Sequence, residues 1–378
     1  MVGKKIGGAP AALLAATLVA ALAVLGAARP GPAEAREFPT EFALGFLQPI
    51  GSDEGQSSPL ILLDHRSRGH YGRGSLTAKL RTTRLRIGMR HPLGEALAWQ
   101  YAAQGEVISL GNGADIYLGG DHLGGKTFSG DGLSAILGGH LFPESPWRAK
   151  LELERMTTRF AATGETAAAT VLPTEFNQTE WRLHLTRRGM LGEGKAELTL
   201  KIEAGSRQGL NNWALDDDAA AHAEFTRTAL LWQQPVHWSP TQKSSWKFFA
   251  GSGENLDLFS GYRIGGFSGI LPIAGYFRNE FRAREARVLN FRHDWAFAKD
   301  RVLTFFFDAA GLSELELAYN PDAPASRNIS GVGVGFRYGL RSLAGLPLVF
   351  RYGHGLDVPG DSLESHRQEF AVAIAAGF

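Results

Sequence analysis

Apolar and polar residues alternate one by one along much of the chain, the period of a strand with one apolar face. Leu76, Ala78 and Leu80 alternate with Thr77, Lys79 and Arg81; Leu85, Ile87 and Met89 alternate with Arg84, Arg86, Gly88 and Arg90. Trp147, Ala149, Leu151 and Leu153 are interleaved with Arg148, Lys150, Glu152 and Glu154. Trp181, Leu183 and Leu185 face away from Arg182, His184 and Thr186, and Ala196, Leu198, Leu200 and Ile202 from Glu197, Thr199, Lys201 and Glu203. In 331–340, Val332, Val334, Phe336, Tyr338 and Leu340 alternate with four glycines and Arg337. Further strand candidates lie at 41–48 and 59–64. Gly- and Asp-rich stretches at 51–58, 111–132, 205–221 and 357–365 read as turns or loops.

Alternation alone also fits a soluble sandwich or propeller. Two features point to a membrane instead. The apolar face is continuous while its opposite carries charges of both signs, the division required by lipid outside and a polar interior. Aromatic residues (Trp232, Trp238, Trp246, Tyr262, Trp295, Tyr338, Tyr352) also cluster near segment ends, as interfacial girdles do. The predicted fold class is all-β: a transmembrane antiparallel β-barrel. At about 20 residues per strand plus connection, the chain holds roughly 14–16 strands.

The first 35 residues read as a cleaved signal peptide. Lys4 and Lys5 form a positive start, Ala11 to Ala28 an apolar stretch, and Ala33-Glu34-Ala35 an A-x-A site after Pro30 and Pro32. An uncleaved anchor is the alternative. The barrel is then expected over 36–378, in the outer membrane and in contact with its lipid. The 378 residues contain no cysteine, which removes disulfides, thiolate metal sites, cysteine nucleophiles and a lipoprotein anchor. The net charge is +1, and losing Lys4, Lys5, Arg29 and Glu34 leaves the mature chain slightly negative. No whole-molecule field attracts nucleic acid.

The C-terminal ten residues place Phe370, Val372, Ile374, Ala376 and Phe378 on one face and Glu369, Ala371, Ala373, Ala375 and Gly377 on the other. A final strand ending on an aromatic residue resembles the signal by which outer-membrane barrels engage the barrel assembly machinery. Phe370, Val372, Ile374 and Phe378 would carry it. Upstream stand Gly265-Gly266-Phe267, Ile273-Ala274-Gly275-Tyr276, Phe306-Phe307-Asp308-Ala309-Ala310 followed by Gly311, Gly333-Val334-Gly335-Phe336-Arg337-Tyr338, and Tyr352-Gly353-His354-Gly355-Leu356-Asp357. In order and spacing these resemble the surface-antigen superfamily of outer-membrane assembly and secretion barrels, the BamA, TamA and FhaC type. There a "GG…(V/L)RG(Y/F)" segment lies in a loop folded into the lumen, and a later strand carries an "FxDxG"-like segment.

The resemblance implies sixteen strands and a lumen loop around 265–280 held by Asp308, with Gly275, Tyr276 and Arg278 as the loop residues. The family's loop arginine falls at Ala274, so Arg278 is the expected substitute partner of Asp308, with Arg263 another candidate. The alternative is that Asp308 joins a mixed-charge network lining the barrel. A second departure is that the sequence between the leader and the first strands leaves no room for POTRA modules. Client handling is then absent or supplied by a separate periplasmic partner.

Catalytic chemistry finds little support. His65 and Ser67, or His70 and Ser75, offer a nucleophile and base, but the H-x-S-N-G pattern of outer-membrane lipases is missing. The remaining histidines are scattered, the Asp216–Asp218 run lacks the spacing of a calcium loop, and 119–126 lacks that of a phosphate loop. No catalytic residue, metal or cofactor is assigned. A passive porin-like channel or structural surface protein, and an outer-membrane lipid hydrolase, are the rival readings.

Overall fold

A computed structural model describes residues 40–50, 58–68, 75–81, 84–93, 99–109, 117–118, 121–122, 128–141, 146–164, 166–189, 196–213, 221–267, 271–276, 280–315, 326–340, 346–356 and 368–376. Side chains are described from Phe128 onward, except those of residues 140, 314, 340, 346, 375 and 376. The expected leader, Arg278, Phe378 and the Asp216–Asp218 run lie outside the described residues.

The strands are β1 (Thr40–Ile50), β2 (Ser58–Arg68), β3 (Ser75–Arg81), β4 (Arg84–Leu93), β5 (Trp99–Ser109), β6 (Tyr117–Leu118), β7 (Asp121–His122), β8 (Phe128–Leu141), β9 (Trp147–Ala162) and β10 (Phe176–Arg188). They continue with β11 (Glu197–Gln208), β12 (Glu224–Ser239), β13 (Gln242–Glu254), β14 (Tyr262–Ile264), β15 (Phe281–Ala298), β16 (Arg301–Glu314), β17 (Arg327–Leu340), β18 (Leu346–Gly355) and β19 (Gln368–Ala376). Apart from the small β6–β7 hairpin, all join one antiparallel sheet in which each strand pairs with the next along the chain. The short β14 lies on β15 beside the β13 pairing. β1 pairs with β2 on one edge and with β19 on the other. Among the described residues no helix is long and apolar enough to cross a membrane.

The alternation predicts these strands because each has two unlike environments to satisfy. Here the polar face is the buried one. Leu133, Leu137 and Trp181 are 64%, 63% and 53% exposed, while Glu180, Glu154 and Glu152 are 2%, 4% and 5% exposed. In water such a surface is unfavourable, since each Å² of exposed apolar area costs about 25 cal/mol. Facing lipid it is the stable arrangement, provided every backbone group finds a partner in the sheet.

Two loop expectations need correction. β8 begins at Phe128, within the 111–132 stretch, and β11 runs on to Gln208, past the start of the 205–221 stretch. In β11 a glycine stands where a side chain presses against the inner face. A Cβ on Gly205 would collide with the Phe225 ring. Small residues there reflect crowding rather than a turn.

Candidate functional site

The inner faces of β9 to β12 are filled by their own charges. Arg182 pairs with Glu154 and, at 3.0 Å, with Glu180. Arg227 reaches Glu180 at 2.7 Å, Lys150 pairs with Glu152 at 2.6 Å, and Gln178 donates to Glu180 at 3.0 Å. Each carboxylate removed from water is matched by a cation or an amide, which burial of charge requires.

The connection from β13 to β15 enters this inner space and makes two separate landings. In the first, Asp257 accepts from the backbone N–H groups of Phe259 and Ser260, both at 3.0 Å, and from the Ser260 hydroxyl at 2.8 Å. Its other oxygen pairs with buried Arg207 of β11. Arg227 donates to the Ser260 carbonyl at 3.0 Å. Phe259 wedges among Phe160, Phe176 and Trp213 at ring separations of 5.4, 5.6 and 5.4 Å. This fixes the connection to the charged part of the wall.

The second landing contains the residues singled out from the sequence. After β14, Gly265 and Gly266 take positive φ, and the chain folds back on itself. Gly265 N–H donates to the Leu271 carbonyl at 3.0 Å, and Gly266 N–H to that of Ile273 at 3.1 Å. Gly275, with φ of 84°, turns the chain again, a conformation in which glycine carries no Cβ penalty. Ile273, Ala274 and Tyr276 are buried, and Tyr276 packs edge-on against Phe281 at 5.5 Å.

Asp308 meets this segment. On β16, Phe306 and Asp308 face inward and Phe307 outward. The Asp308 carboxylate accepts from the Ala274 backbone N–H at 3.0 Å and from the Asn290 side-chain amide at 2.7 Å. The same Asn290 amide nitrogen donates to the Pro272 carbonyl at 2.8 Å. Among the described residues both donors to Asp308 are uncharged. At the position where the family pattern has arginine, the backbone amide of Ala274 makes the contact in its place. Arg263 donates instead to the Phe259 carbonyl at 3.4 Å.

The segment lies on a floor of glycines. In register across β16 to β19, inward positions run Asp308, Gly331 and Gly355 in one row and Phe306, Gly333, Gly353 and Glu369 in the next. A Cβ on Gly331 would strike the Ala274 carbonyl oxygen. One on Gly353 would lie 2.8 Å from the Gly275 nitrogen and 2.9 Å from the Phe267 ring. Phe267 packs edge-on against Phe306 at 5.3 Å, and its N–H donates to Glu369 of β19 at 2.7 Å.

With this geometry in place, solved structures can be compared. CdiB from Acinetobacter baumannii superposes with a TM-score of 0.58 at 13% identity, over 89% of this chain and 60% of that one. CdiB from Escherichia coli gives 0.58 at 13% identity, over 92% and 66%. BamA from Haemophilus ducreyi lacking POTRA domains 1-3 gives 0.55 at 9% identity, over 90% and 70%. The chain has the fold of the BamA and CdiB outer-membrane barrels. It spans about 60 to 70% of the length of these structures. No family model matches it, and no curated protein sequence does. The β13–β15 connection lies against the charged, buried face of this sheet.

Asn290 and the Arg207–Asp257 pair were not singled out from the sequence; Phe267 stood only in the Gly265-Gly266-Phe267 motif and Glu369 only on a strand face, neither with a role. Asn290 and Glu369 carried a usable signal, as polar residues at inward positions. Phe370, Val372 and Ile374 lie on the opposite, half-buried face of β19. His65 and Ser67 lie on β2, in register with Ala78 and Leu76 of β3.

Proposed function

We propose that this chain is a closed, sixteen-stranded outer-membrane barrel of the surface-antigen type, serving protein or lipid transport or assembly at the outer membrane through a lumen gated by the loop at 265–276. The observation that carries the reading is the seat of that loop. Asp308 holds it through Ala274 N–H and Asn290 on an inner wall left bare by glycines. Closure is supported by the pairing of β1 with both β2 and β19. BamA and CdiB, whose fold the chain shares, are transport and assembly barrels. In this reading the chain has no enzymatic activity of its own. The face bearing Phe370, Val372, Ile374 and Phe378 is its signal to the assembly machinery.

The mechanism is mechanical and electrostatic. Hydrogen bonds to a charged acceptor contribute about 1.5–3 kcal/mol each, enough to keep the loop seated at rest yet releasable by a partner that competes for it. Asp308→Ala is expected to loosen the loop and raise ion conductance in planar bilayers, whereas the wild type stays mostly closed. A steady, wide opening in the wild type, unchanged by Asp308→Ala, would support a water-filled porin instead. Lipid hydrolysis abolished by Ser67→Ala would support the hydrolase.

A further inference from the structure

An arginine stands beside the apolar run on the outward face of β15. From 289 to 297 the outward positions are Leu289, Phe291, His293, Trp295 and Phe297, a run long enough to cross a membrane, which takes ~9–11 residues. Arg287 is the next outward position. It lies toward the end of the sheet from which the long β13–β15 and β16–β17 connections leave; short turns join β12 to β13 and β15 to β16 at the other end. A cation on a lipid-facing strand is costly at the midplane and cheap near the interface, which is where this spacing puts Arg287. Arg287 is exposed, and among the described residues it makes no ion pair. The following outward side chain, Glu285, is exposed and farther from the apolar run, in register with Ser252 and Ser313.

Arg287 stands on the rim of a hollow. Arg287, Gly311 and Asn328 form one row across β15 to β17, and Leu289, Ala309 and Ser330 form the next, with Phe248 of β13 beside Leu289. Gly311 and Ala309 leave the middle strand almost bare. A Cβ on Gly311 would meet only the Asn328 side-chain oxygen, 3.2 Å away. The hollow holds about 370 Å³ and is open to the outward side. Toward the strand end it presents the Arg287 guanidinium and the Asn328 amide. Toward the middle of the apolar run it presents Phe248, Leu289 and Ala309.

We propose that this hollow is a seat for a phosphate-bearing membrane lipid, with the phosphate held by Arg287 and Asn328 and the upper part of an acyl chain lying over Ala309 against Phe248 and Leu289. The guanidinium is a planar fork of donors that matches phosphate oxygens and stays charged, and the amide adds a further donor. A soluble anion would leave the apolar half uncovered, and an uncharged lipid would leave Arg287 unmatched. A lipid phosphate satisfies both halves. The seat rests on the barrel reading above, because that reading turns this face to lipid.

The test measures lipid retained by the purified full chain in a maltoside detergent, read as the mass of the intact complex. The probe is dioleoyl phosphatidic acid, compared with dioleoylglycerol, which lacks the phosphate, and with inorganic phosphate as competitor. The wild type should hold phosphatidic acid. Arg287→Gln should weaken retention on the order of tenfold or more, the loss of a charge-assisted, bidentate contact. Ala309→Phe fills the hollow while Arg287 stays, and should weaken it as much. Arg187→Gln removes a different cation, which sits over Trp147 at 5.0 Å, and should change nothing.

The seat is overturned if Arg287→Gln retains the lipid as the wild type does, or if Arg187→Gln loses as much, which would mean general charge attraction. Equal retention of dioleoylglycerol, or displacement of the lipid by inorganic phosphate at equal concentration, overturns it as well. Where Arg287→Gln does not assemble, Ala309→Phe carries the test, and unchanged retention in it counts equally against the seat. A heat-modifiable gel shift checks the barrel in each preparation. A wild type that shows the shift and holds no lipid removes the seat alone. A wild type that shows no shift and washes off membranes with carbonate removes the barrel reading and the seat together.

Discussion

The wall at β9 to β12 and the wall at β16 to β19 solve the same problem in opposite ways. Both belong to one sheet, both turn apolar side chains outward, and both have an inner face to complete. The first fills most of it with long charged side chains that satisfy one another, Arg182 and Arg227 sharing Glu180, and anchors the connection rigidly through the buried Arg207–Asp257 pair. The second leaves it bare at Gly331, Gly333 and Gly353 and accepts a separate piece of chain, held by Asp308 and Glu369. A wall completed by its own side chains can change only by breaking the wall. A wall completed by a loop can lose the loop and keep its strands. Under the proposed function, the movable part belongs to the glycine side and the charged side is scaffold.

Four substitutions would break or sharpen this contrast. Arg207→Ala leaves the buried Asp257 carboxylate without its cation, a loss of about 3–5 kcal/mol. The heat-modifiable shift of the barrel on a gel should move to clearly lower temperature. Asn290→Ala deletes one of the two donors to Asp308 and should cost about 1.5–3 kcal/mol. Its signature should be raised conductance with little change in that gel transition, because the loop rather than the wall is released. An unfolding shift as large as that of Arg207→Ala would contradict the division. Gly331→Ala places a methyl against the Ala274 carbonyl. Overpacking of this kind costs about 1–3 kcal/mol and should again open the channel more than it destabilises the barrel. Arg159→Ala breaks an ion pair with Glu175 in which Arg159 is 74% exposed, and should cost less than about 1 kcal/mol without effect on conductance.

Much of this was legible in the alternation because a barrel strand records both its environments. Trp147 to Glu154 and Trp181 to Thr186 showed which side chains face lipid and which face inward. The glycines alternating with Val332, Val334 and Phe336 also marked a bare inner strip, although nothing local said what covers it. The lumen loop and Asp308 came from the resemblance. The described contact from the loop to Asp308 did not, because it is made by the backbone of Ala274, and a backbone amide is present at every residue but proline. Seeking an arginine there led to Arg278, which lies outside the described residues. Asn290 and Glu369 were visible as inward polar residues, but their partners are 18 and 102 residues away. Periodicity reads faces, and pairings across a lumen are fixed only by the fold.

The measurement that bears most directly on the seated loop is a disulfide in the cysteine-free chain between Ala274→Cys and Gly353→Cys. A Cβ on Gly353 would stand 3.1 Å from that of Ala274, inside the ~3.5–4.5 Å of a disulfide, and 2.8 Å from the Gly275 nitrogen, so the loop backbone must shift to admit the bridge. In intact outer membranes under mild oxidation the pair should bridge rapidly, and the bridged protein should stay closed even when Asp308→Ala is added. If the pair stays reduced under conditions that bridge Gly45→Cys and Ala373→Cys across the β1–β19 pairing, the loop does not lie on the glycine floor and the account is wrong.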